Sequence, residues 1–215
     1  MTQQTTYSPE VQQLFTLGRP NAWPELRKNR EDMPVDEYVN RFGFCQEHVP
    51  ELLGVVRTWA LPQSEETFDE VFGYAPVHAW RALGELRAAE AVDPLLELLP
   101  AFDETGDDWY IEELPSVFGL IGPPAVLALR IYINDRAESA FNRDIAGRGL
   151  EKIAIRNPEF RGEVVETLAG ILDRREEDPW AAYGFIVGIL SDMQAVEAAE
   201  STERAVWREL VAGDD

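Results

Sequence analysis

The sequence predicts an all-α fold, an α-solenoid of antiparallel helix pairs in a single domain. Three observations support this prediction. Apolar residues recur at three-to-four spacing through most of the chain after residue 70. Equivalent positions in successive helix pairs are about 35 residues apart, a period typical of helical repeat arrays. No segment combines alternating β-branched residues with hairpin turn signals, so we expect no sheet.

Composition limits the class of partner. The chain has 215 residues, 45% of them hydrophobic, which is enough to bury a sizeable core. It carries 40 acidic against 19 basic residues, a net charge of −21. Such a chain repels nucleic acids and attracts basic proteins or peptides. The alternative, that the acids only keep the surface soluble or reflect a salty cytoplasm, stays open.

The chain start and the apolar runs predict a cytoplasmic protein. Residues 1–7 have neither a basic start nor an apolar stretch, so no secretory signal is expected. The longest apolar runs are far shorter than the roughly 20 residues of a membrane helix. Cys45 is the only cysteine, which excludes an intrachain disulfide and a Cys-rich zinc site. We expect it to be a small core residue.

Residues 1–70 are interpreted as an irregular helical cap. Ser8 and Pro9 are typical of an N-cap and a first helical residue, opening a short helix through Leu17. Residues 21–34 indicate a loop, and residues 35–59 one or two helices. Residues 62–70 form a polar linker.

Residues 71–215 are predicted to form about four helix pairs that pack, with the cap, as one domain. Several helices open with an Asp-Pro start, as at Asp93 and Asp178. We expect Pro115 to kink its helix. The predicted helices cover 77–86 and 93–99, 109–121 and 124–134, 141–156 and 162–174, and 178–190 and 195–211.

A small residue recurs in the first helix of the pairs. Equivalent positions are Gly84, Gly119, Glu151 and Gly188, at spacings of 35, 32 and 37 residues. We expect helices to cross closely at these places, where a larger side chain would not fit. The third position, a glutamate, departs from this pattern.

Part of the array resembles a known repeat family. The segments Val77–Leu86 and Ala91–Leu99 resemble a HEAT-like repeat of the phycobilisome lyase type, and the similarity continues in Asp107–Pro115 and Phe118–Pro124. It covers roughly residues 45–210. The resemblance implies a right-handed superhelix with a concave groove, used mostly as a scaffold for proteins or peptides. The Cys-rich metal-binding tail of some bacterial relatives has no counterpart here.

Two catalytic HEAT-type functions lack their residues. Deoxyhypusine hydroxylases hold iron through His-Glu pairs, but here His48 is followed by Val49 and His78 by Ala79. Helical-repeat DNA glycosylases need a basic concave face, which the acidic balance disfavours. We therefore predict no metal, no cofactor and no nucleic-acid site, and interpret both histidines as internally satisfied cap or groove residues.

The candidate binding site is an acidic cluster around one tryptophan. Asp107, Asp108, Trp109, Glu112 and Glu113 combine carboxylates with an aromatic face, which suits a lysine or arginine of a partner. The alternative is structural: an aspartate caps the helix, the glutamates favour its positive end, and the tryptophan packs between repeats. The other tryptophans are predicted to be core; should two of them open onto the groove, they would form hot spots for a partner helix or extended peptide.

The leading functional hypothesis is a non-catalytic scaffold that binds a basic protein or peptide in an acidic concave groove. A second, taken from the repeat resemblance, is a lyase-like factor acting on a chromophore-bearing antenna protein. The third is a structural or stress-tolerance scaffold with no fixed ligand. The oligomeric state and the identity of the partner stay open.

Overall fold

A computed structural model describes residues 7–20, 37–58, 73–105, 109–174 and 180–212. These ranges contain eleven α-helices and no strand, which confirms the all-α prediction. The helices are α1 Pro9–Gln12, α2 Glu37–Phe42, α3 Val49–Arg57, α4 Ala75–Glu85, α5 Val92–Thr105, α6 Trp109–Ile121, α7 Val126–Asn134, α8 Ala140–Arg156, α9 Arg161–Asp173, α10 Trp180–Asp192 and α11 Ala199–Ala212.

The predicted helices after residue 75 all exist, with ends shifted by a few residues. The largest shift at a helix end is in α5, which continues past Pro100 to Thr105. The predicted loop 21–34 and the predicted linker 62–70, with Trp23 and Trp59, lie outside the described residues. Pro115 lies inside α6, which runs without interruption from Trp109 to Ile121.

The chain divides into two compact units, residues 1–121 and 122–215. In the first unit, α4 is central: every residue from Ala75 to Glu85 is buried. It packs against α2, α3 and α6. Helices on either side of the predicted boundary near residue 70, α3 and α4, are therefore direct neighbours. Trp80, Phe102 and Tyr110 fill the core beside them.

In the second unit, α8 to α11 follow a regular contact pattern. Each of these helices packs against the next one in the chain, and α8 also packs against α10 and α9 against α11. Helix α7 packs against α8. First helices of successive pairs are therefore neighbours, and so are second helices.

A short backbone motif recurs between helices. Residues with positive φ, Gly43 (73°), Arg87 (52°), Gly122 (82°) and Gln194 (51°), each precede a 3₁₀ turn that leads into the next helix. After α4 and α10 the chain closes with the same bond, an amide donating to the carbonyl five residues earlier, at 3.1 and 2.9 Å. This recurrence is local evidence for a repeated helix–turn–helix unit.

Polar contacts within each unit also recur at nearly one repeat length. Arg81 binds Glu113, 32 residues away, and Arg130 binds Glu163, 33 residues away. Arg161 donates to the Met193 carbonyl, 32 residues away, and Arg204 to Asp173, 31 residues away. These separations, 31 to 33 residues, lie close to the spacings of 32 to 37 residues between the equivalent positions Gly84, Gly119, Glu151 and Gly188.

The close-crossing explanation for the recurring small residue holds at one position and is wrong at another. A Cβ on Gly84 would lie 3.2 Å from Leu120 Cδ1 and 3.4 Å from Val117 Cα. At Gly188 nothing lies within 4 Å. In α8 the tight residue is Gly147, where a Cβ would lie 2.9 Å from Ile189 Cδ1, one helical turn before the predicted position. Glu151 at that position is a buried carboxylate, and burial raises its pKa.

The predicted helix start at Ser8 and Pro9 is confirmed, with Ser8 as N-cap residue and Pro9 as first helical residue. The Ser8 side chain makes no capping bond; its amide donates to Glu51 Oε2 at 2.7 Å. Two further predictions are corrected. Cys45 is exposed rather than in the core, because it precedes the 3₁₀ turn Gln46–His48. Trp207 is 60% exposed, because it lies on α11 opposite the buried Ala205 face.

Candidate functional site

The acidic cluster predicted as the binding site is divided by the structure. Asp107 and Asp108 lie outside the described residues. The Glu113 carboxylate is fully buried and held by Arg81, with Nε to Oε2 at 2.9 Å and Nη2 to Oε1 at 2.5 Å. The indole of Trp80 donates to the same Oε2 at 2.9 Å. Glu113 therefore serves the first unit's interior, and its carboxylate is not open to a partner.

Trp109 and Glu112 are the accessible members of the set. Glu112 is exposed and Trp109 is half-buried. The guanidinium carbon of Arg19 lies 6.0 Å from the Trp109 ring centroid, and the Tyr74 ring meets it edge-on at 5.8 Å. Arg19 of the same chain therefore supplies a cation to the Trp109 ring, where the sequence predicted a cation from a partner.

A buried polar network surrounds His78 in the same unit. The Tyr38 hydroxyl lies 2.7 Å from His78 Nδ1, and His78 Nε2 lies 2.9 Å from the Gly18 carbonyl. A carbonyl only accepts, so Nε2 carries the proton, and the Tyr38 hydroxyl donates to Nδ1. Arg81 Nη1 donates to that hydroxyl at 3.4 Å. The bonds run in one direction and require a neutral imidazole.

The pKa of His78 fits this arrangement. Burial lowers it from 6.5 to about 4; the bond to Gly18 opposes the shift, and the nearby Arg81 and Arg41 add to it. Both ring nitrogens are used by the chain itself, as the sequence predicted. The network fixes α2 and the segment at Gly18 onto α4, a positioning role rather than a chemical one.

A second polar group lies at the start of the segment leading into α3. Cys45 Sγ lies 3.3 Å from His48 Nδ1, and His48 Nε2 lies 3.9 Å from Glu10 Oε2. The Cys45 amide donates to the same Nδ1 at 3.0 Å. The Cys45 amide thus occupies the Nδ1 lone pair that a general base would need, and the bond closes the turn that leads into α3.

An apolar groove open to solvent lies between α10 and α11 and is here called the α10–α11 groove. Its volume is about 470 Å³, within the roughly 300–1,000 Å³ of ligand clefts. Its apolar walls include Val206 and Trp207, which are 41% and 60% exposed, and Val196, which is 82% exposed. The remaining lining residues are Val187, Leu190, Ser191, Gln194, Ala195, Ala199, Thr202 and Glu203.

Sequence reasoning missed this groove although α11 carries a signal for it. Ala198, Ser201 and Ala205 form the buried face. Val206 and Trp207 follow directly, so apolar residues occupy a second face of the same helix. A helix with two apolar faces has one left over for another element or a partner.

No metal or membrane feature emerges from the described residues. They contain no group of three or more His, Cys, Asp or Glu side chains placed to hold a metal ion. No single helix among them is long and apolar enough to cross a bilayer, and α6 and α7 reach that length only as a bent pair.

Comparisons with protein-family models, curated proteins and solved structures found no match for this chain.

Proposed function

We propose that the chain is a non-catalytic scaffold that binds a protein or peptide segment of basic character. In this proposal the helix pairs of each unit are turns of a HEAT-like α-solenoid. Two features support the repeat interpretation: the contacts of α8 to α11 with the next and next-but-one helix, and the polar contacts at 31 to 33 residues. Both are typical of stacked repeats, in which each unit contacts its neighbours.

The observation that carries the binding proposal is the distribution of charge. Arginines are largely engaged by the chain's own acceptors: Arg81 by Glu113, Arg130 by Glu163, and Arg204 by Asp173. Acids are in twofold excess, so many exposed carboxylates have no such cation. Among the described residues these include Glu90, Glu97, Glu104, Glu159 and Glu166. The resulting field steers basic segments towards the surface and repels acidic ones.

The test uses three synthetic peptides in place of the natural partner. The first is an amphipathic peptide of leucine and lysine, the second has glutamate for every lysine, and the third has alanine for every leucine. We expect saturable binding of the leucine–lysine peptide with a defined stoichiometry, measured by calorimetry. Binding should weaken at roughly 1 M salt, where the screening length is about 3 Å.

The other two peptides decide what the binding means. Absence of binding by the leucine–lysine peptide, or equal binding of the glutamate peptide, would reject the proposed function. Equal binding of the alanine–lysine peptide without a defined stoichiometry would show non-specific charge attraction alone, which would also reject the proposal.

A further inference from the structure

We propose that the α10–α11 groove is the docking site for an amphipathic protein segment whose aliphatic side chains are flanked by lysine or arginine. This inference rests on the proposed function and names its site and the chemistry of its partner. Apolar area, charge and groove shape within the second unit support it.

The apolar part of the groove is open to solvent. Trp207 and Val196 are large apolar side chains with most of their surface exposed, and Val206 lies beside them. Leu190, 2% exposed, and Ala195, 9% exposed, form a largely buried floor. Covering these side chains would remove apolar surface from water, the main source of affinity in such contacts. An exposed tryptophan at the edge of a preformed groove is also a frequent hot spot.

The charges at the groove are acidic. Glu203 lines it, and Asp192, Glu197 and Glu200 lie next in sequence to lining residues. Asp192 and Glu200 have 62% and 92% of their side-chain surface exposed. A partner that placed lysine or arginine beside its apolar residues would meet these carboxylates.

Three nearby arginines whose side chains are described are bound within the unit. Arg161 binds the Met193 carbonyl at 2.9 Å and Glu197 at 3.1 Å. Arg204 binds Asp173 at 2.8 Å, with Glu200 at 3.6 Å. Arg148 lies 3.8 Å from Asp192, but 62% of the Asp192 side chain stays exposed. Glu203 is exposed as well, so the acidic character of the rim persists.

The same charge argues against a second copy as the occupant. In a two-fold symmetric dimer the groove would meet itself, and the carboxylates of one copy would face those of the other. Each copy carries a net charge of −21, so this arrangement is opposed at long range as well. A basic segment gains from the charges that a second copy would have to overcome.

The shape of the groove indicates a helical segment. Val196, in the 3₁₀ turn before α11, and Ala199, Glu203 and Val206 on α11 follow one another at three-to-four spacing. Val187 and Leu190 on α10 and Gln194 just after it do the same. Two helices that present parallel rows of this kind leave a channel suited to the apolar face of a third helix. An amphipathic helix with basic polar positions satisfies both the apolar walls and the acidic rim.

The experiment measures the dissociation constant of a fluorescein-labelled leucine–lysine peptide by anisotropy, with the unchanged protein and five variants. Trp207→Ala should weaken binding roughly tenfold or more. Glu203→Gln should weaken it by about two- to fivefold and reduce its salt dependence. The matched controls are Ile131→Ala, at a 64% exposed apolar position on α7, and Glu166→Gln, an exposed acid on α9. Both should bind like the unchanged protein.

The outcomes separate the two proposals. Tight peptide binding that is unaffected by Trp207→Ala and by Val196→Ser, a second groove variant, overturns the docking site and leaves the scaffold function standing. No peptide binding by the unchanged protein rejects the function itself. Sedimentation velocity is run alongside: an unchanged protein that is dimeric, and becomes monomeric with Trp207→Ala, would show that a second copy occupies the groove and would also overturn the proposal. Circular dichroism confirms that each variant is folded.

Discussion

Acidification should destabilise the first unit through a single side chain, His78. Its imidazole is buried and neutral, donating to the Gly18 carbonyl and accepting from Tyr38. Protonation would place a second positive charge beside Arg81 and turn Nδ1 into a donor facing a hydroxyl donor. Because the folded pKa is lowered, the unfolded state binds the proton more readily. The stabilisation is fully present above the unfolded pKa and is lost as pH falls through 6.5 towards 4.

The size of the effect follows from the two pKa values. Each unit of pKa difference corresponds to about 1.4 kcal/mol, so the maximum loss, below pH 4, is on the order of 3 kcal/mol. Between roughly pH 7.5 and pH 5 the loss should be about 2 kcal/mol. Buried carboxylates act in the opposite sense: burial raises the pKa of Asp144 and Glu151, so their protonation at low pH favours the folded second unit.

A non-titrating replacement isolates the contribution of His78. His78→Gln offers one donor and one acceptor without a titrating ring. We expect the difference in unfolding free energy between the two proteins, measured by urea unfolding, to decrease by about 2 kcal/mol from roughly pH 7.5 to pH 5. The chain has two histidines, so ring-proton NMR of the variant assigns the resonances and reports the pKa of His78 directly. An imidazole that titrates near 6.5, or parallel stability curves, would refute the reasoning.

Four further substitutions test the packing of the units by urea unfolding. Glu113→Gln leaves Arg81 buried without its carboxylate and should cost roughly 3–5 kcal/mol; a loss below 1 kcal/mol would mean that the pair is hydrated. Gly147→Ala places a Cβ 2.9 Å from a neighbouring side chain and should cost about 1–3 kcal/mol, whereas Gly188→Ala, in open space, should be neutral or stabilising by up to about 1 kcal/mol. Equal effects of the two would contradict the helix packing. Arg87→Gly relieves a φ of 52° at an exposed position and should stabilise the protein by about 1 kcal/mol, so a loss of stability would show that the side chain has another role.

The all-α class and the positions of the helices were predictable because helices are marked locally. Apolar spacing and proline starts depend only on neighbouring residues, and the predicted α6 matches the observed Trp109–Ile121 at both ends. The positions at which helices pack closely were harder to predict from the sequence. The glycine pattern suggested close crossings, but Gly188 is open and the tight position in α8 is Gly147. Which face of a helix meets a neighbour depends on the rotation of both helices, and a spacing of about 35 residues does not fix that rotation.

The candidate site was harder because one residue type takes opposite roles. Trp80 is fully buried and bonded to Glu113, whereas Trp207 lies on a helix of similar composition and is largely exposed. The prediction that the tryptophans are core treats the two alike. Composition of a short segment does not distinguish them, because burial depends on whether another helix covers that face.

The repeat period contains information that separates these roles. Three arginine–carboxylate contacts within the units join residues 31 to 33 positions apart, so an acid with a base at that offset is a candidate for an internal pair. Glu113 has Arg81 at that offset, which commits its carboxylate to the interior and removes it from the predicted binding cluster. Glu203 has Gly170, Ile171 and Leu172 at 31 to 33 positions upstream and no base among them, so the same rule leaves its carboxylate for solvent or a partner. In a stacked repeat, an acid with a base one period away in sequence is thus expected to form an internal ion pair. An acid without such a base is available for a surface such as the rim of the α10–α11 groove.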